Sequence, residues 1–256
     1  MFGNNNGFPL VDRFLGYFQS SEGSHKDFLK ARMSRSRSFE QYDFNIKLLD
    51  TTNIWTIAAT SQATTWAVLA EPGGWIRGVT GASVATGALQ IQGPQKYWNG
   101  TKGAGMAALI RLSAVTNVRL EMGFADVLPS ISTTALNLAS NSFNSVAAGA
   151  VYLYDEGLGA STAMAGLYTI GSSTAYAALA TSGSASFQSA ATLFVAMEII
   201  GRTVKLWVGD GPNPTASVTT GVTAADGVLP FIMAKTQSGS KNVDIDAIWT
   251  WTNGRN

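Results

Sequence analysis
From Ala191 to Trp251 the sequence alternates apolar and polar residues in four successive runs, which leaves little room for anything but antiparallel strands. LFVAMEIIGRTVKLWVG is two such runs joined at Gly201-Arg202, and glycine at the first position of a two-residue loop suits the type II′ hairpin turn. After a polar passage through Asp210, Gly211, Pro212, Asn213 and Pro214 comes VLPFIMAKT. Past Gln237-Ser238-Gly239-Ser240-Lys241, NVDIDAIWTW follows as the last strand of the same sheet. Period two puts its Val243, Ile245, Ala247 and Trp249 on a core face and Asp244, Asp246, Ile248 and Thr250 on a half-wet face.

The rest of the chain extends this β character. From Asn53 onward come NIWTIAAT, TTWAVLAE, GWIRGVTG, GALQIQGP, GMAALIRLSAV and NVRLEMGFAD, each of strand length and each closed by Gly, Pro, Ser or Asn. GMAALIRLSAV contains good helix formers, but Ala108, Ile110, Leu112 and Ala114 alternate with Leu109, Arg111, Ser113 and Val115, as a strand requires. Between Leu128 and Gln188, Ala, Ser, Thr and Gly dominate. There AAGAVYLYDE, MAGLYTI and AYAALAT read as further strands anchored by Tyr152, Tyr154, Tyr168, Tyr176 and Phe187. No fixed-period repeat is present, which argues against a solenoid or propeller. The expectation is one all-β domain over 53–256, a two-sheet antiparallel sandwich or barrel, preceded by an arm and short helix over 1–52.

That first region is distinct, because it holds a large share of the chain's Lys and Arg. FGNNNGFPLVDRFLGYF sets Phe2, Phe8, Phe14, Tyr17 and Phe18 among Gly and Asn. Such rings either insert into a partner or cap this chain's own sandwich. SHKDFLKARMSRSRS, from Ser24 to Ser38, has a capping serine, Asp27 in the first turn and basic residues toward its end, as a short helix would. Phe28, Arg32 and Arg35 share one side at helical spacing. Lys26, Lys30, Arg32, Arg35 and Arg37 form a basic cluster, read either as a solvated helix face or as a contact for an acidic partner surface or nucleic acid.

Composition removes several function classes. With no Cys and one His, thiolate metal sites, disulfides and most His-based catalytic constellations lack their residues, so neither cofactor nor metal is expected. No window reaches the roughly 18 apolar residues of a helical membrane span, and MFGNNNGFPL lacks a basic start and an apolar signal core. The expectation is a soluble, uncleaved chain with no membrane partner. A net charge of +1 argues against specific or bulk nucleic-acid binding.

In their order, GMAALIRLSAVTNVRLEMGFAD, GAVYLYDE, LFVAMEIIGRTVKLWVGDG and LPFIMAKTQSGSKNVDIDAIWTW resemble the concanavalin A-like jelly-roll domains carried by tailed bacteriophages as virion structural proteins. The resemblance spans about Trp66 to Trp251 and rests on strand patterns, so it bears on fold directly and on function by association. It implies two packed antiparallel sheets and a place on the virion. It further implies partners among the major capsid protein or other virion proteins, and a homo-oligomer. With it, Phe2, Phe8, Phe14, Tyr17, Phe18, Lys30, Arg32, Arg35 and Arg37 become the candidate partner-binding residues of a capsid decoration or head-associated protein.

The fold also resembles that of lectins and glucanases. Retaining glucanases of this kind carry Glu-x-Asp-x-x-Glu on one strand, so that two carboxyl groups stand about 5 to 5.5 Å apart. The chain has no such motif. Asp244-Ile245-Asp246 lacks the glutamates, and Glu121 and Asp126 lie too far apart along their strand, so no catalytic residue is assigned. A module binding surface glycan, on a tail or fibre, is the alternative function. Trp66, Trp75 and Trp98 are its candidate sugar-stacking residues, with Tyr97 near them, against the plainer reading of core aromatics. Asp210 to Asn213 supplies too few oxygens for a calcium site, and Gly100 to Gly105 lacks the ending of a phosphate loop.

Overall fold
The short alternating runs fold as strands throughout. The computed structural model describes residues 28–29, 31–33, 38–43, 55–60, 64–69, 74–83, 87–93, 98–127, 130–131, 134–137, 142–144, 146–156, 164–171, 175–179, 187–209, 211–219 and 221–252. Sheet A runs in the order β15 (Ala216–Val218), β14 (Thr203–Val208), β13 (Thr192–Ile200), β6 (Ala104–Leu112), β17 (Asn242–Thr252), β4 (Ile76–Val79) and β3 (Thr64–Val68). The short β4 covers only the first part of the edge of β17, and β1 (Ser38–Asp43) pairs with the remainder. Sheet B runs β12 (Ala175–Leu179), β11 (Met164–Ile170), β10 (Gly149–Glu156), β7 (Val118–Ala125), β16 (Leu229–Thr236), β5 (Ala88–Gln92) and β2 (Thr56–Ala59). A small hairpin of β8 (Leu136–Asn137) and β9 (Ser142–Phe143) stands apart from both. All pairings are antiparallel.

The chain passes between the sheets through the middle of the sandwich: β5, β6 and β7 alternate B, A, B, and β15, β16 and β17 alternate A, B, A. The four runs from Ala191 to Trp251 are therefore strands as expected, but they do not share one sheet. β13, β14 and β17 belong to sheet A and β16 to sheet B. The first two form the anticipated hairpin, with Ile200 opposite Thr203 and Gly201 at φ 61°. Arg202 does not share the positive φ, which fits a type II′ turn rather than type I′.

Met106, Ala108, Ile110 and Leu112 of β6 and Val195, Met197 and Ile199 of β13 point inward. They meet Leu120, Met122 and Phe124 of β7 and Ile232 and Ala234 of β16. Fully burying each large side chain is worth about 1.5–3 kcal/mol, so this interior is the main source of stability.

Strand β17 departs from strict alternation. Ile245 pairs with Ile110 but Ile248 with Ala108, so one extra residue is accommodated between them as a bulge. Val243 and Ile245 lie in the inter-sheet core as expected, and so does Ile248, whereas Ala247, Trp249 and Trp251 lie on the outer face of sheet A. The period-two assignment thus fails after Ile245, because the bulge exchanges the two faces. Nor is the outer face half wet: Trp249 and Trp251 are fully buried.

A short helix from the N-terminal region supplies their cover. Of the expected helical span 24–38, residues 28–29 and 31–33 are helical and Ser38 belongs to β1. The first region thus contributes both a strand to sheet A and a helix to its outer face. Leu29, Phe28 and Met33 pack there against Ala107, Leu109, Phe194, Ala196, Trp207, Trp249 and Trp251. Gly105 makes room for this layer, since a Cβ at that position would stand 2.0 Å from the Trp251 indole.

Candidate functional site
Both outer faces of the sandwich carry charged groups set into apolar strands. On sheet A, period two aims Glu198 of the apolar run LFVAMEII outward, where it is buried beneath the helix. Arg32 Nη2 donates to its Oε2 at 2.8 Å, Arg32 Nε stands 2.6 Å from Oε1, and Trp251 Nε1 donates to Oε1 at 3.0 Å. The same guanidinium lies 4.4 Å over the Phe28 ring and 5.3 Å from that of Trp207. Phe28 in turn meets Trp207 at 4.9 Å and Phe194 and Trp251 edge-on at 5.7 and 6.1 Å. Stacking and charge pairing therefore act on the same few residues and hold the helix down.

Farther along sheet A, Asp244 stands between Arg77 of β4 and Arg111 of β6, its cross-strand neighbours. Arg77 grips it in a fork, Nε to Oδ1 at 2.6 Å and Nη2 to Oδ2 at 2.8 Å, while Arg111 Nε donates to Oδ2 at 2.9 Å. Arg111 stacks at 4.5 Å on the ring of Trp75. Asp246 sits at the bulge of β17.

On sheet B the outward row Lys235, Arg119, Asp155 crosses β16, β7 and β10, with Glu121 two residues beyond Arg119. Arg119 Nε donates to Glu121 Oε1 at 2.9 Å, and its Nη2 bonds both Glu121 Oε1 and the Leu136 carbonyl. Glu121 also accepts from the backbone N–H of Ala135 at 2.7 Å and of Leu136 at 3.3 Å. Asp155 Oδ2 is 3.6 Å from Arg119 Nη1, and Oδ1 accepts from Gln237 Nε2. Burial pushes the Asp155 carboxyl up to about 6, against the pull of Arg119 and of Gln237. Burial, with the neighbouring Arg119 charge, lowers the Lys235 ammonium.

These contacts seat residues 134–137, with Phe143 and Val146, on the outer face of sheet B. Ala135, Leu136 and Val146 pack on Val151, Leu153, Tyr168, Leu229, Phe231 and Met233. The Arg32–Glu198 and Arg119–Glu121 pairs thus tie segments of this same chain to the two faces. Among the described residues no group of three His, Cys, Asp or Glu is disposed to hold a metal ion.

Of the residues singled out by sequence, Trp66 and Trp98 are corrected: both are buried in the inter-sheet core, and the Trp66 indole N–H donates to the Gln90 carbonyl, so neither offers a ring face to a sugar. Trp75 is partly exposed, beneath Arg111. Arg32, expected to meet a partner, is engaged by Glu198 within the chain. Phe2, Phe8, Phe14, Tyr17, Phe18, Lys30, Arg35, Arg37 and Tyr97 lie outside the described residues. The charged residues that organise both faces, Arg77, Arg111, Arg119, Asp155 and Glu198, were missed as sites. Their signal was a charge at an alternating position of a largely apolar run, standing alone in the cases of Arg77, Arg111 and Glu198.

No protein-family model and no curated protein matches the sequence. Solved structures do match in shape. The carbohydrate recognition domain of Emp47p aligns with 83% of this chain and 94% of its own at TM-score 0.57 and 12% identity. Rv0315 of Mycobacterium tuberculosis, described as an immunostimulatory antigen and pseudo β-1,3-glucanase, aligns with 85% and 98% at TM-score 0.54 and 11% identity. A β-1,3-glucanase from Mycobacterium marinum aligns with 84% and 98% at TM-score 0.53 and 12% identity. The chain is a concanavalin A-like jelly-roll sandwich. At these identities the likeness concerns fold alone.

Proposed function
We propose that this chain is a non-catalytic structural protein of a tailed-phage virion, a head decoration or comparable head-associated protein fastened through its N-terminal segment. The observation that carries the reading is the docking of residues 28–33 on the outer face of sheet A through Phe28, Leu29 and the Arg32–Glu198 pair. It gives the preceding residues a fixed base from which to reach a neighbour. The ordered strand runs that resemble phage jelly rolls point to the same class. The absence of Glu-x-Asp-x-x-Glu from the sequence and the pairing of Glu121, Asp244 and Glu198 with arginines favour a role without catalysis. Phe2, Phe8, Phe14, Tyr17 and Phe18 are the proposed inserting rings, with Lys30, Arg35 and Arg37 steering approach to the capsid protein. Each ring buried on the partner is worth about 1.5–3 kcal/mol, enough in sum to offset much of the ordering cost.

The test adds full-length protein and a variant lacking residues 1–20 to particles devoid of it, then counts bound copies and compares thermal stability. The expected result is an equally stable truncated sandwich that no longer binds. Equal binding would contradict attachment through the N-terminal segment.

A second reading, a glycan-binding module of a tail or fibre, is favoured by the carbohydrate recognition domain among the structural neighbours and by the partly exposed Trp75 beside Arg111. A glycan array separates the two: binding lost in Trp75→Ala supports the module, and an empty array supports the decoration protein.

A further inference from the structure
We propose that the segment carrying β8 and β9 is a strap over the outer face of sheet B whose hold is set by how Arg119 is shared between Glu121 and Asp155, so that acidification tightens the strap and a return to neutral pH loosens it.

The geometry is a clasp with one guanidinium at its centre. The Ala135 N–H, the Leu136 N–H and the Leu136 carbonyl of the strap all end on the Arg119–Glu121 pair. Thr134 Oγ1 also donates to the Leu136 carbonyl at 3.0 Å, and Asn144 Nδ2 to the Thr134 carbonyl at 3.2 Å, which ties the β8 side of the hairpin to the β9 side. Asp155 makes no contact with the strap in these bonds. It faces Arg119 from the neighbouring strand at 3.6 Å and competes for the same cation.

The groups that face Asp155 complete the balance. From β7 they are Arg119 and Glu121, from β16 Lys235, opposite Arg119, and just beyond that strand Gln237. Cross-strand on β11 stands Met164, and the described strap residues Thr134 to Leu136 carry no titratable side chain. A neutral Asp155 leaves Arg119 wholly to Glu121 and the Leu136 carbonyl. An ionised Asp155 draws it away, toward its own Oδ2. Linkage makes the two events one: a closed strap that holds Arg119 on Glu121 withholds it from Asp155, so closure and protonation favour each other. The carboxyl titrates near 6, chiefly because it is buried, so the change falls between pH 5 and 7. An open strap uncovers Leu153, Phe231 and Met233, which it now shields.

Native-state hydrogen exchange at the Ala135 and Leu136 amides tests this directly, read against amides of β6 and corrected for intrinsic exchange. Protection at both is expected to fall on the order of fivefold or more between pH 5 and pH 7 while staying below that of the β6 amides, so that the loss reports local opening rather than global unfolding. In Asp155→Asn the same amides should keep their high protection at both values. In the unaltered chain the Asp155 carboxyl, followed by carbon NMR, should titrate across the same window. Protection that does not change with pH, a change that persists in Asp155→Asn, or a carboxyl that titrates near 4 would each overturn the proposal.

Discussion

Glu198 and Asp155 are both acids in apolar strands, yet their surroundings give them opposite roles. Glu198 is held by the Arg32 guanidinium and an indole N–H, so it anchors the helix through charge-assisted contacts. Glu198→Gln leaves the Arg32 guanidinium without its counter-charge at a position only 18% exposed. The expected cost is about 1–3 kcal/mol in chemical denaturation, with exchange protection lost at residues 28–33 and kept in β13. Asp155 lacks such a grip. Its folded value, about 6, lies above its ordinary 3.8, so folding favours the protonated form. That contribution is fully present below pH about 4 and is lost as pH rises through about 6, at about 1.4 kcal/mol per pH unit within the window. Denaturation midpoints measured from pH 4 to 7 should fall accordingly in the native chain, and Asp155→Asn should remove this component of the slope.

The sharpest lesson at the level of elements is β17, whose strand character was plain in NVDIDAIWTW while its facing was not. Alternation announces a strand, but a bulge inserts its extra residue without any residue type that marks it, so Ala247 and Trp249 were assigned to the wrong side. The hairpin at Gly201-Arg202 was legible because its turn depends on a local glycine conformation, whereas the division of β16 and β17 between sheets depends on pairings with β7 and β6 far away in sequence. The bulge makes a discriminating experiment possible. Deleting Asp246 should regularise β17 and leave Trp249 and Trp251 outward, with the tryptophan fluorescence of a folded protein and a stability loss of about 1–3 kcal/mol. Inserting one alanine after Ile248 should instead turn both indoles toward the inter-sheet core and abolish cooperative unfolding. Strict alternation requires the reverse for the deletion, namely loss of folding.

On the scale of the whole molecule, the sandwich is a core closed by two sheets, each of which is covered on its outer face by a segment of the same chain. The inter-sheet core was readable because burial on one side of each strand is written in every second residue. The outer covers were not, since both outward layers are also apolar and only the folded chain reveals that the helix lies over Trp251 and the strap over Phe231. The same difficulty placed Trp66 and Trp98 among candidate ligand residues, because a tryptophan in a strand looks alike whether its ring meets a sugar or the opposite sheet. The proposal that follows from this architecture is a particle-bound module that touches its neighbour through the N-terminal segment and carries no chemistry of its own. Electron cryomicroscopy of virions made with and without the gene for this chain tests it most directly. The proposal expects additional jelly-roll density on the head surface of the complete particle, with residues 1–27 running into the capsid protein. It would be contradicted if heads from the two preparations were identical or if the extra density stood at the tip of a tail fibre.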